Sequence, residues 1–114
     1  MESRQLGGST RTGAMFLSHP LDITEPGSIS ALVKDLPLLA PRVDLLVNNA
    51  GIGSWGSDRR EAIRTIETNY VGSRSVTDAL LPILPDGGRV VNVSSGLGEL
   101  SYVGRELRSR FADP

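Results

Sequence analysis

Cysteine is absent from the 114 residues, which excludes disulfides, thiolate metal sites and a thiol nucleophile. Histidine occurs once, at His19, so a His-based triad has a single candidate base and a multi-histidine metal site has no ligand set. Lysine also occurs once, at Lys34. No apolar run approaches membrane-spanning length; Leu45-Leu46-Val47 is far too short. Met1 to Gly8 holds no apolar stretch of signal-peptide length. A cytoplasmic location without a membrane partner is the expectation. The formal charge of -1 shows no excess of either sign and gives no reason to expect nucleic acid as a partner.

What is present suits one small globular domain, with 39% hydrophobic and 22% charged residues. Residues 1–13 are polar and glycine-rich and read as a disordered lead-in, leaving 14–114 as the domain. Gly8 to Gly13 spaces two glycines like a phosphate loop, but Ala14 and Met15 stand where lysine and Ser/Thr are needed. Ala14 to His19 reads as a short strand ending at Pro20. Thr24 is the expected N-cap of a helix with Pro26 in its first turn. Ile29, Leu32, Val33 and Leu36 follow at i, i+3, i+4 and i+7, one helix face, and Pro37 and Pro41 bracket its end.

Val43 to Val47 is apolar apart from Asp44, as in a parallel strand covered on both faces. Gly51 to Gly56 forms a loop, with Trp55 read as its anchor in preference to a substrate-side contact. Asp58 with Glu61 resembles a capping box opening a helix that runs to about Leu81, ahead of Pro82 and Pro85. Gly87-Gly88 turns the chain into a strand over Arg89–Ser94, and Glu99 to Ala112 is loosely helical. Arg59, Arg60, Arg105, Arg108 and Arg110 read as solvated faces, and His19 as a strand-end residue.

This order predicts an α/β fold: a partial Rossmann-like parallel sheet of about three strands with flanking helices. Ligands of such sheets sit beyond the carboxyl ends of the strands. That singles out Leu21-Asp22-Ile23-Thr24, Asn48-Asn49-Ala50-Gly51 and Ser94-Ser95-Gly96. Taken alone, each has a plain reading: Asp22 and Thr24 could organise the helix start, Asn48-Asn49 a turn, and Ser95 a turn or cap. Asn69 lies in a largely apolar stripe with Ala62, Ile66, Ser73, Val76 and Leu80, where its amide needs a partner.

Leu46-Val47-Asn48-Asn49-Ala50-Gly51, Thr68-Asn69 and Gly88-Arg89-Val90-Val91-Asn92-Val93-Ser94-Ser95, preceded by Leu21-Asp22-Ile23-Thr24, resemble the short-chain dehydrogenase/reductase family from about Ala14 onward. The tail from Ser94 through Arg108 is similar to carbonyl-reductase-like members, which insert a helical segment between the catalytic serine and tyrosine. The resemblance implies an NAD(P)-dependent oxidoreductase passing hydride between nicotinamide and a small carbonyl or alcohol substrate. By resemblance, Asp22 accepts from the adenine amino group, and Ile23 presents its backbone to the same ring. Asn49, Ala50 and Gly51 line the ribose and the approach to the nicotinamide. Ser95 donates to the substrate carbonyl oxygen, and Asn69 holds a water of the proton relay. Asn48 ties neighbouring strands together.

The family's opening Thr-Gly-x-x-x-Gly-x-Gly, which holds the cofactor pyrophosphate, has no match here, and neither do the residues that would separate NAD from NADP. The family's Tyr-x-x-x-Lys is also missing. Tyr102 is followed four residues later by Glu106, and a carboxylate there acts against lowering a phenol's pKa. The expectation is a fragment inactive as this shortened chain, with a marginal fold and doubtful cofactor binding. Alternative readings are a non-catalytic modulator of a full-length relative, a homo-oligomer formed through open sheet edges, a weak adenosine-nucleotide binder, or a gene product with no function.

Overall fold

A computed structural model of the chain describes residues 15–53 and 58–112. The lead-in expected at 1–13 and the loop anchor Trp55 lie outside them. Helix α1 spans Pro26–Leu39 and ends between the two bracketing prolines. Its N-cap is Glu25, one residue later than expected. The reason is local: the Thr24 hydroxyl donates to Asp22 Oδ1 at 2.6 Å. Glu25 instead sits in extended backbone, and its carbonyl receives the Ser28 and Ile29 N–H groups at 3.0 and 3.2 Å.

The apolar face of α1 behaves as its spacing predicts. Ile29 is buried with Val76 and Leu80, and Leu32, Val33 and Leu36 pack around them. Each fully buried aliphatic side chain contributes about 1.5–3 kcal/mol. With only these three buried apolar side chains among the described residues, the core is small. The radius of gyration, 17.5 Å, exceeds the roughly 13 Å of a compact 100-residue domain.

Strands β1 (Leu45–Asn48) and β2 (Arg89–Asn92) pair in parallel, with Leu45 opposite Arg89 and Asn48 opposite Asn92. Alternation then divides the side chains: Leu46 and Asn48 turn toward the helices, while Leu45 and Val47 remain 51% and 49% exposed. The strand expected over Ala14–His19 is not part of this sheet, and residues 16–20 carry no strand. In a Rossmann-like order the third strand is separated from the fourth by the first two, so it cannot reach the β1 ladder. His19 ties this extended segment to α1 instead: Nε2 lies 3.2 Å from Asp35 Oδ2, and Nδ1 lies 2.7 Å from the Pro20 carbonyl oxygen.

The long helix is broken into three pieces: α2 (Arg59–Ile66), a π-helical stretch over Glu67–Gly72, and α3 (Ser73–Leu80). A 3₁₀ turn, Leu81–Ile83, closes it. Asp58 is the N-cap as expected, its side chain accepting from the Arg60 N–H. The predicted stripe is buried only beyond the π stretch, because no face of α2 packs against the core. Val76 and Leu80 are buried, whereas Ala62 and Ile66 are exposed. Gly72 lies in the π stretch, where a Cβ would come within 2.9 Å of the Ile23 carbonyl oxygen. The missing side chain lets the Leu21–Ile23 segment lie against the helix.

Beyond β2, 3₁₀ turns at Gly96–Gly98 and Leu100–Tyr102 lead into α4 (Arg105–Ala112). Arg108 is not a purely solvated charge. Its guanidinium donates to the Ser101 and Val103 carbonyls at 3.0 and 3.1 Å, closing the second turn.

Candidate functional site

Two adjacent parallel strands put their carboxyl ends side by side, so the segments that follow them share one crevice. After β1 come Asn49, Ala50 and Gly51, and after β2 come Ser94 and Ser95. Together with Asn69 and Thr65 from the broken helix they bound a cleft of about 540 Å³. Five of the seven candidate site residues therefore meet: Asn49, Ala50, Gly51, Asn69 and Ser95. Asp22 and Ile23 do not line this cleft; Ile23 borders a separate hollow of about 570 Å³ between the start of α1 and the π stretch.

Asn69 finds its amide partners in the main chain of Ile52. Its Nδ2 donates to the Ile52 carbonyl at 2.8 Å, and its Oδ1 accepts the Ile52 N–H at 2.8 Å. The residue is exposed, not buried as its stripe suggested, yet both ends of its carboxamide are bonded. The carboxamide leaves little room above Gly51, where a Cβ would lie 3.2 Å from Asn69 Oδ1. Helix and loop are thereby locked together on one wall of the cleft.

Asn48 is buried and does tie the strands together: its Nδ2 donates to Asn92 Oδ1 at 2.7 Å and to Thr77 Oγ1 at 2.8 Å. The Thr77 hydroxyl in turn donates to the Ser73 carbonyl at 2.8 Å. Both amide protons and the intervening hydroxyl are satisfied, which fixes the base of the strand tips without side-chain charge.

Ser95 caps the first 3₁₀ turn by accepting the Leu97 N–H at 3.2 Å, the plain role open to it from sequence. An accepting hydroxyl retains its own proton, so Oγ can still donate into the cleft. Asp22 also serves locally: Oδ1 accepts the Thr24 N–H at 2.9 Å as well as its hydroxyl. These two bonds, the hydroxyl's above all, hold its carboxyl pKa below the ordinary aspartate range.

Sequence reasoning did not single out Ile52, Thr65 or Leu97, which complete the walls. Thr65 stands one helical turn before Asn69, a spacing that could have flagged it. Tyr102 is 69% exposed and does not line the cleft. Among the described residues no group of acidic or histidine side chains could hold a metal ion, and no helix is long and apolar enough to cross a membrane.

Comparison with known proteins agrees with the strand-tip motifs. Residues 4–107 match the family described as short chain dehydrogenase, starting upstream of Ala14. Carbonyl reductase [NADPH] 1 of Bos taurus is 42% identical over 105 residues, covering 87% of this chain and 38% of the relative. A (+)-neomenthol dehydrogenase of Arabidopsis thaliana is 34% identical over 113 residues, covering 77% of this chain and 38% of the relative. Among solved structures, menthone neomenthol reductase from Mentha piperita superposes with a TM-score of 0.74 at 29% identity, over 85% of this chain and 47% of that one. The 3-ketoacyl-(acyl-carrier-protein) reductase from Brucella melitensis, complexed with NADH, gives 0.62 at 30% identity, over 72% of this chain and 39% of that one. The chain thus spans less than half the length of each of these proteins. With most of its residues matched by the family and its strand-tip motifs gathered on one cleft, the chain belongs to the short-chain dehydrogenase family and is carbonyl-reductase-like within it.

Proposed function

We propose that the cleft is the substrate-side part of an NAD(P)-dependent carbonyl reductase site. The observation that carries this reading is the convergence of Asn49–Gly51, Asn69 and Ser95 beyond the carboxyl ends of two parallel strands. The amides, hydroxyls and bare backbone at Gly51 suit a neutral ribose and nicotinamide. The sequence supplies no glycine-rich N–H cradle for the pyrophosphate, so the fit covers one end of the cofactor only. Bound there, a reduced nicotinamide would supply the hydride.

The chain's own groups have definable tasks. Ser95 Oγ–H donates a hydrogen bond to the carbonyl oxygen, where negative charge grows during reduction, and keeps its proton. Asn69, holding Ile52, keeps the Asn49–Gly51 wall at a fixed distance from Ser95 and supports the relay water. Asp22 and Ile23 would meet the adenine end, and Asn49 the ribose. The sequence holds no Tyr-x-x-x-Lys to supply the proton that the reduced oxygen takes up. These 114 residues alone are therefore expected to bind reactants weakly and not to turn them over.

The test is NADPH oxidation with a panel of aldehydes, ketones and quinones, beside amide NMR shifts with millimolar NADPH. Shifts at residues 22–23, 49–53 and 93–98 without turnover are expected. Unperturbed cleft amides with every compound would remove the reading, and turnover abolished by Ser95→Ala would remove the inactivity.

A second reading is favoured by the uncovered sheet face, where Leu45, Val47, Val91 and Val93 remain exposed. A parallel sheet is ordinarily covered on both faces. A full-length relative could cover this one and be modulated by it. Co-expression with such a relative and size exclusion decides; separate elution discards the idea.

A further inference from the structure

Two ties fasten the extended segment ahead of α1 to that helix. At one end the Asp22 N–H donates to Ser28 Oγ at 2.8 Å. At the other, His19 Nε2 lies 3.2 Å from Asp35 Oδ2. Ser28 and Asp35 are two helical turns apart, so they share a face of α1 and stand about 10.5 Å apart along its axis. Three extended residues, from His19 to Asp22, cover about 10 Å, which matches that spacing. The segment therefore runs antiparallel to α1 and is pinned at both ends, with Pro20 and Leu21 between the pins.

His19 completes its contacts in one charge state only. Nδ1 faces the Pro20 carbonyl oxygen at 2.7 Å and Nε2 faces the Asp35 carboxylate, and both of these groups only accept. A neutral imidazole has one N–H, so one of its nitrogens would turn a lone pair toward an oxygen; the imidazolium has two N–H groups. The His19 side chain is 18% exposed, which limits how far water can replace a lost contact. Asp35 is the ion-pair partner of His19 among the described residues. Ala31 and Leu39, one turn to either side of Asp35, are uncharged, Lys34 beside it is exposed, and Asp22 is turned to Thr24.

We infer that His19 is a positioning residue whose imidazolium form holds the Leu21–Thr24 segment against α1, so that the adenine end of the site is ordered at acidic pH and loosens as His19 loses its proton. The part concerning adenine rests on the proposed function. The tie is complete while His19 is charged and Asp35 ionised, and it loses a hydrogen bond as pH rises. Histidine is the side chain that ordinarily changes charge between about pH 5 and 8, and this chain has one, so a comparison across that range isolates it.

Two readouts on the full chain, at about pH 5.5 and about pH 8, test this. One is exchange of the Asp22 amide, corrected for its intrinsic rate; the other is titration with adenosine, uncharged over that range, followed at the Ile23 amide. Protection of Asp22 should be about three- to tenfold greater at the lower pH, a modest factor because Asp35 is half exposed. Adenosine affinity should follow it. His19→Gln, which does not titrate, and Asp35→Asn, which keeps an acceptor without the charge, should each flatten the profile. Asp22 protection that ignores pH in the unaltered chain, or that changes with pH equally in both variants, overturns the inference. Adenosine affinity that stays level while protection changes overturns its extension to the adenine end. Adenosine that shifts no amide at either pH removes the adenine part of the proposed function instead, and leaves His19 positioning the segment alone.

Discussion

The carboxamide of Asn69 and the main chain of Ile52 are joined by two hydrogen bonds of 2.8 Å, one in each direction. The pair couples a π-helical turn to the loop that follows β1. A π turn inside an α-helix is uncommon and is found often at functional sites. Here it carries Asn69, the side chain that holds the cleft wall through Ile52.

Asn69→Asp keeps the shape but replaces the donor by an acceptor facing the Ile52 carbonyl. We expect a loss of about 1–3 kcal/mol, toward the lower end because the residue is exposed. Faster amide exchange at Ile52, with the core amides of α3 unchanged, is the measurement. Unaltered exchange would mean that the clasp contributes nothing to loop order.

Gly72→Ala places a methyl group within 2.9 Å of the Ile23 carbonyl oxygen, a backbone atom with little freedom to retreat. Overpacking of this kind costs about 1–3 kcal/mol. The urea midpoint should fall, and Ile23 should shift in NMR spectra. Gly27→Ala, with nothing within 4 Å of the new Cβ, is the matched control and should be near neutral or mildly stabilising.

Asn48→Leu removes the amide that bonds Asn92 and Thr77. The site is 8% exposed, so water cannot fully replace the lost partners. About 1–3 kcal/mol should be lost. Equilibrium unfolding measures it, and Asn92 and Ser94 should become less ordered at the β2 tip.

Thr24→Val removes the hydroxyl that most depresses the Asp22 carboxyl pKa but leaves the backbone N–H. A folded-state carboxyl pKa below its unfolded value adds stability that is present above the unfolded value and fades as pH falls through the folded one. In the variant the Asp22 pKa should rise toward the ordinary aspartate range and that acid-side window should narrow. A carbon-detected titration of the carboxyl reads the shift directly; an unchanged pKa would contradict its cause.

The sequence determined the local elements and the chemistry at their ends. The face Ile29–Leu36 predicted α1 and Asp58 predicted the cap of α2, because spacing and capping act over a few residues. The tie made by Asn48, to a residue 44 positions away, was expected only from the family resemblance. The family was legible for the same reason: strand-tip residues are adjacent in the chain.

Tertiary structure decided what depends on distant neighbours. Whether residues 16–20 join a sheet is settled by which strands flank them, not by their own composition. The exposure of Ala62 and Ile66 was decided by packing, since no face of α2 is buried. The meeting of Thr65 and Leu97 across one cleft required the parallel register of β1 and β2. Periodicity reports a residue's face on its own element; only packing reports what that face meets.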